Sequence, residues 1–163
     1  MGRLAAALAL LVALASPLAA AEWREIKPGG STMTDVRARF GAPSRETAQK
    51  IEGYDTMQWV YEGPRAPVGM IKVTVDFGLK TSSAYNKETV RSFTLEPKHD
   101  VFNRQLVLYG WGPPDRLGKQ GETEFFLYRE GLLVYFDKTG DQAVSMTFTP
   151  PQPLPDGTRP PQR

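Results

Sequence analysis

The chain has 163 residues, a formal net charge of +2 and no cysteine. The missing cysteine excludes disulfides, thiol catalysis and cysteine-based metal sites. The basic residues form no cluster, and the charge is close to neutral, which argues against nucleic acid and against electrostatic attachment to a membrane surface. We therefore expect one compact body that is stabilised by its apolar core alone.

The first 21 residues have the pattern of a secretory signal peptide. Arg3 supplies a positive n-region, residues 4–18 are almost entirely apolar, and Ala19–Ala21 form a small-residue cleavage site. We predict cleavage after Ala21 and a periplasmic or secreted protein with no lipid anchor and no later membrane span. An uncleaved anchor is the alternative, although the apolar run is short for a span.

Residues 22–97 are predicted to form a first α/β unit. A capping box at Thr32 and Asp35 begins a short helix, which Gly41 and Pro43 end. Downstream, apolar and polar residues alternate, which is strand periodicity. The predicted strands span 57–61, 71–77 and 90–95, with a polar loop over 77–87.

Residues 98–151 are predicted to form a second unit of the same kind. Asp100 is the expected N-cap of its helix, and Phe102, Leu106 and Tyr109 form the apolar stripe. The predicted strands span 125–128, 132–137 and 144–149. Residues 152–163 form a proline-rich tail, which we expect to be disordered because such a composition cannot join a core.

The two units share a pattern along their length. Phe40-Gly41-x-Pro43 matches Trp111-Gly112-x-Pro114, and the third strands align with an offset of 54. We therefore predict an α+β fold of two tandem units, each a short helix followed by a three-stranded antiparallel sheet. The second unit's strands are apolar on both faces, so we expect a second cover besides its helix. The first unit is the favoured cover, and a partner protein is the alternative.

The inventory of reactive side chains is poor. His99 is the only histidine, and its neighbour Asp100 could orient it as a general base, which leaves a hydrolase as one alternative. The run from Asp137 to Asp141 superficially suggests a calcium loop but lacks the repeated acidic positions and is predicted to be a hairpin turn. We predict no enzyme activity, no cofactor and no metal.

Aromatic residues are the better functional clue. They crowd the predicted sheets, and those that escape the core are candidates for contact with an envelope protein or peptide. The candidate protein-binding residues are Trp59, Tyr61, Trp111, Phe125 and Tyr135. Alternatives are an inhibitor that inserts aromatic residues into the cleft of an exported enzyme, and a scaffold that binds through its proline-rich tail.

The order of these motifs resembles the BamE (SmpA/OmlA) family of small envelope proteins. The resemblance rests on Ile26-x-Pro-Gly, the Thr32 cap, Phe40-Gly41-x-Pro43 and Trp59-x-Tyr61, and it is weaker over residues 98–151. It implies a non-catalytic interaction module of the cell envelope. The tandem arrangement is also similar to that of the β-lactamase inhibitory proteins, whose paired units form a concave binding sheet.

Overall fold

The computed structural model describes residues 20–152, so almost all of the predicted signal peptide and the tail beyond Gln152 lie outside the described residues. Within that range the chain forms two short helices, eight strands and one 3-10 turn at Gly63–Arg65. The elements are α1 (Met33–Phe40), β1 (Arg45–Ile51), β2 (Tyr54–Glu62), β3 (Met70–Lys80), β4 (Tyr85–Pro97), α2 (Arg104–Trp111), β5 (Arg116–Gln120), β6 (Thr123–Tyr128), β7 (Leu132–Phe136) and β8 (Ala143–Phe148).

The strands form one antiparallel sheet in the order β1-β2-β3-β4-β8-β7-β6-β5. The prediction of two tandem units with a three-stranded sheet each is therefore wrong. Each half contributes four strands, and β4 pairs with β8 at the centre through Phe93↔Phe148, Thr94↔Thr147 and Leu95↔Met146. Because the halves join edge to edge, they share one sheet and one core.

The strands missed by the sequence analysis are the two edges, β1 and β5. β1 has the sequence RETAQKI and β5 has RLGKQ, so neither shows alternation of apolar and polar side chains. Polar edge strands are common because charges discourage unwanted pairing. The loop predicted over 77–87 is also wrong, since β3 runs to Lys80 and β4 begins at Tyr85.

The two halves repeat the same element order and the same local contacts. Each helix has eight residues and ends at a glycine with positive φ, 77° at Gly41 and 75° at Gly112. The hydroxyl of Tyr61 donates to the Gly41 carbonyl at 3.1 Å, and that of Tyr128 donates to the Gly112 carbonyl at 3.1 Å.

Two backbone bridges fix how the halves correspond. Thr32 bridges to Thr89, and Asn103 bridges to Gln142. Equivalent positions of β4 and β8 therefore differ by 53 in residue number, one less than the predicted offset of 54.

The prediction of Asp100 as the N-cap of α2 is wrong. The N-cap is Asn103, because its side chain accepts from the Leu106 amide at 2.9 Å.

Both helices pack on one face of the sheet. Val36 of α1 and Val107 of α2 are fully buried in the single core, together with the inward side chains of β2 to β4 and β6 to β8. No helix among residues 20–152 packs on the opposite face, which we call the open face. The expectation that the first half covers the second half's strands is wrong, because the two lie side by side. No helix in this range is long and apolar enough to cross a bilayer.

Candidate protein-binding surface

Two of the predicted binding residues lie in the core. Trp59 is 3% exposed and packs against Phe77 with ring centroids 4.8 Å apart. Tyr61 is fully buried beneath α1, 5.7 Å from Phe40, and burial raises the pKa of Tyr61 to about 12. Alternation places both side chains on the helix-covered face. Neither is accessible to a partner in this conformation.

Trp111 lies at the end of α2, also on the helix-covered face. It is half-buried and contacts Phe148, with ring centroids 6.1 Å apart. With Tyr128 and residues 20–22 it lines a groove of about 480 Å³. This groove is on the opposite side of the sheet from the remaining two candidates.

Phe125 and Tyr135 meet on the open face. They are paired across β6 and β7, and their rings lie 5.9 Å apart at 58°. The neighbouring pair on the same face is Leu127 with Leu133. All four side chains are partly exposed. We call these four residues the open-face patch.

The equivalent positions in the first half are mostly polar. Trp59 pairs with Val75 as Phe126 pairs with Val134, so the counterparts of the open-face patch follow from the register. The counterparts of Phe125, Leu127, Leu133 and Tyr135 are Gln58, Val60, Thr74 and Asp76. There the Gln58 side-chain amide donates to Asp76 at 2.9 Å, where the second half has an aromatic pair.

Strand β5 fixes the aromatic side chains of the patch. Gly118 lies opposite Phe125, and a Cβ atom there would come within 2.3 Å of the Phe125 ring, so the ring lies across the glycine. The Tyr135 hydroxyl donates to the Gln120 side chain at 2.8 Å. The patch is therefore held by its neighbours before any partner arrives, which lowers the entropy cost of binding.

Leu127 and Leu133 were missed as site residues by the sequence analysis. The usable signal was the apolar character of β6 and β7 on both faces, since an antiparallel strand with one wet face normally alternates. The sequence alone does not show that the first half leaves the open face of β6 and β7 uncovered.

The alternative catalytic pair sits in solvent. His99 Nδ1 lies 2.9 Å from Asp100 Oδ2, and the two side chains are 75% and 79% exposed. The hydrogen bond and charge of Asp100 raise the pKa of His99. The pair lacks the burial that usually tunes a general base.

The run from Asp137 to Asp141 forms a turn. Asp137 Oδ1 accepts from the Thr139 hydroxyl at 2.8 Å and from the Asp141 amide at 3.1 Å, and Gly140 has φ of 75°. These hydrogen bonds lower the pKa of Asp137, the Thr139 bond most. Within residues 20–152 no group of three or more histidine or acidic side chains is placed to hold a metal ion.

No protein-family model and no curated protein matches the chain. Among solved structures, the chain is similar to a DUF4309 family protein (YjgB) from Bacillus subtilis, with 14% identity, a TM-score of 0.47, and coverage of 78% of this chain and 83% of that one. It is also similar to an extracellular protein containing a SCP domain from Bacillus anthracis, with 16% identity and a TM-score of 0.42. This alignment covers 80% of this chain and 48% of that one. With TM-scores below 0.5, neither likeness carries an argument about this chain.

Proposed function

We propose that the protein is an exported, non-catalytic interaction module of the cell envelope that binds another protein through the open-face patch. The observation that carries this proposal is the contrast between the halves. Phe125, Leu127, Leu133 and Tyr135 stand on an uncovered sheet face where the first half has Gln58, Val60, Thr74 and Asp76. Contiguous apolar surface without a cover is typical of a protein interface.

The chemistry of the patch fits a protein partner. Aromatic side chains are enriched at the centres of interfaces, where they bury large area at small entropy cost. Phe125 and Tyr135 are already fixed by Gly118 and Gln120. Export rests on the predicted signal peptide, and membership of a BamE-like family stays a prediction from sequence.

The test uses the first half as a template for the second. We expect the variant Leu133→Thr/Tyr135→Asp, which carries the first half's residues, to keep its circular dichroism spectrum and lose partner capture from envelope extracts. Thr74→Ala is the matched control at the position equivalent to Leu133, and it should capture as the wild type does. Equal capture by both variants would contradict the proposal.

A second candidate is an inhibitor of an exported enzyme. The partly exposed Phe125 and Tyr135 on the sheet face opposite both helices favour it, because aromatic side chains on such a face can enter a cleft. The test is inhibition of envelope hydrolases by the wild type and by Tyr135→Asp. Partner capture without inhibition of any bound enzyme would remove this candidate and leave the first.

A further inference from the structure

The two edges of the sheet are equivalent in the fold but differ in chemistry. At the β1 edge the cations are paired within the molecule. Arg45 lies 3.6 Å from Glu62, Arg37 lies 2.7 Å from Glu46, and Lys50 lies 3.6 Å from Asp55. Charged side chains on an edge strand discourage the addition of another strand.

The β5 edge keeps Arg116 and Lys119 but has apolar side chains at two positions where the β1 edge has an ion pair. The positions equivalent to the Arg37–Glu46 ion pair are Leu108 and Leu117, which are 37% and 65% exposed. Tyr109, beside Leu108 on α2, is 91% exposed. The helix-covered side of this edge therefore presents apolar surface to solvent where the first half presents an ion pair.

The same edge carries unmatched positive charge. Arg116 is exposed, and among residues 20–152 it forms no ion pair, whereas its counterpart Arg45 does. Lys119 contacts Glu124 at 3.4 Å, but Glu124 also contacts Arg104. The open side of the edge therefore has a positive charge at Arg116 that an acidic partner residue would complement.

The geometry points to β5 as a docking edge: we propose that an extended segment of the partner protein, alternating apolar and acidic residues, adds to β5 as a ninth strand. This deepens the proposed function and rests on it. β5 pairs only with β6, so alternate residues of β5 direct backbone N–H and C=O groups outward. Strand addition uses such groups for affinity and the flanking side chains for specificity.

The side chains of β5 define which partner residues fit. Leu117 projects on the helix-covered side, where it favours an apolar partner residue. Arg116 projects on the open side, in register with Leu127, and favours an acidic one. Gly118 follows in register with Phe125, whose ring lies across the glycine, so one side chain of the open-face patch borders the added strand.

The experiment titrates the full chain with two capped six-residue peptides, one alternating valine with glutamate and one alternating valine with lysine. We expect the glutamate peptide to bind with a Kd below about 1 mM and to shift the backbone amide resonances of residues 116–120 but not those of 45–51. The lysine peptide should bind at least about tenfold more weakly.

Arg116→Glu should weaken binding of the glutamate peptide at least about tenfold. The matched variant Arg45→Glu on the other edge should leave that binding unchanged. The inference would be overturned if the glutamate peptide did not bind, or if it shifted the amide resonances of both edge strands. It would also be overturned if Arg116→Glu and Arg45→Glu lost the same amount of affinity for that peptide. Concentration-dependent dimerisation through β5 would also overturn it, because a second copy would then be the occupant. If these results fail while Leu133→Thr/Tyr135→Asp still abolishes partner capture, the proposed function stands and the edge inference falls.

Discussion

At the scale of single residues, close backbone approach makes one glycine much harder to replace than another. Gly131 has φ of 96°, and a Cβ atom there would lie 2.0 Å from the Thr149 carbonyl oxygen. We expect Gly131→Ala to lower the free energy of unfolding by about 3 kcal/mol or more, since both strain and overlap act. Gly53 has φ of 86° but open space around it, so Gly53→Ala should cost only about 1–2 kcal/mol. Urea unfolding measures both, and equal losses would contradict the packing argument.

The buried tyrosines Tyr61 and Tyr128 predict a loss of stability at high pH. Burial raises the pKa of each to about 12, above the ordinary value of 10.0. As the pH rises, the unfolded chain therefore loses the two hydroxyl protons at a lower pH than the folded protein does. The contribution of the protonated tyrosines to the free energy of unfolding is complete below pH 10.0 and is lost as the pH rises towards 12. We expect the free energy of unfolding to fall over that window, and Tyr61→Phe/Tyr128→Phe to flatten the fall. An unchanged slope in the double variant would contradict this.

The sequence predicted helix ends correctly where the residues at the end itself determine where the helix begins or stops. The capping box at Thr32 and the end of α1 at Gly41 are confirmed, because each meets a need of the adjacent helix end. Asp100 was wrong as a cap because Asn103 fills that role and Asp100 has φ of 67° in the preceding turn. Two side chains of similar capping propensity cannot be separated by sequence alone.

At the scale of elements, both helices are short enough to depend on their caps. Thr32 accepts from the Asp35 amide, and Asp35 accepts from the Thr32 amide at 2.8 Å. We expect Thr32→Ala to cost about 1 kcal/mol, whereas Thr34→Ala, two residues further on and exposed, should cost little. Thermal unfolding compares them, and equal losses would show that the cap contributes nothing.

The same cap has an acid dependence of defined sign. Hydrogen bonds from Thr32 lower the pKa of Asp35 below its ordinary value of 3.8. The ionised Asp35 carboxylate thus contributes to the free energy of unfolding above pH 3.8, and this contribution is lost as the pH falls below that value. Asp35→Asn should reduce the acid sensitivity of unfolding in a urea titration. The same acid sensitivity as the wild type would contradict this assignment.

Elements with strong alternation, such as 71–77 in β3, could be predicted from sequence, and the edge strands could not. Much of the surface of β1 and β5 is exposed to solvent, so neither strand needs an apolar face. Neither therefore shows the period-two alternation by which a strand is predicted. Their absence from the prediction turned two four-stranded halves into two three-stranded units. The missing strands also hid β5, which supports the open-face patch and forms the proposed docking edge.

At the scale of the whole molecule, the central seam makes the two halves one folding unit. Phe93 of β4 and Phe148 of β8 stack with centroids 4.5 Å apart at 11°, and the Thr94 and Thr147 hydroxyls lie 3.1 Å apart. We expect Phe148→Ala to cost about 3–5 kcal/mol and to leave a single unfolding transition. Tryptophan fluorescence and circular dichroism should give coincident curves, and two separated transitions would contradict a shared core.

The relation between the halves is the part of the architecture that sequence could least supply. Matching motifs indicated a repeated pattern, but local periodicity predicts strands and not which distant strands pair, as β4 and β8 do. That pairing leaves the second half's apolar strand face uncovered. The candidate surface therefore follows from the long-range topology, and the sequence contributed only Phe125 and Tyr135 to it.

The central claim is that the protein binds its partner through the open-face patch of the second half. The most direct measurement places a photo-crosslinking amino acid at Leu133 in one protein and at the equivalent Thr74 in another, and irradiates both in the cell envelope. The account predicts a discrete adduct with one other protein from position 133 and none from position 74. Adducts of equal yield from both positions, or none from either, would contradict it.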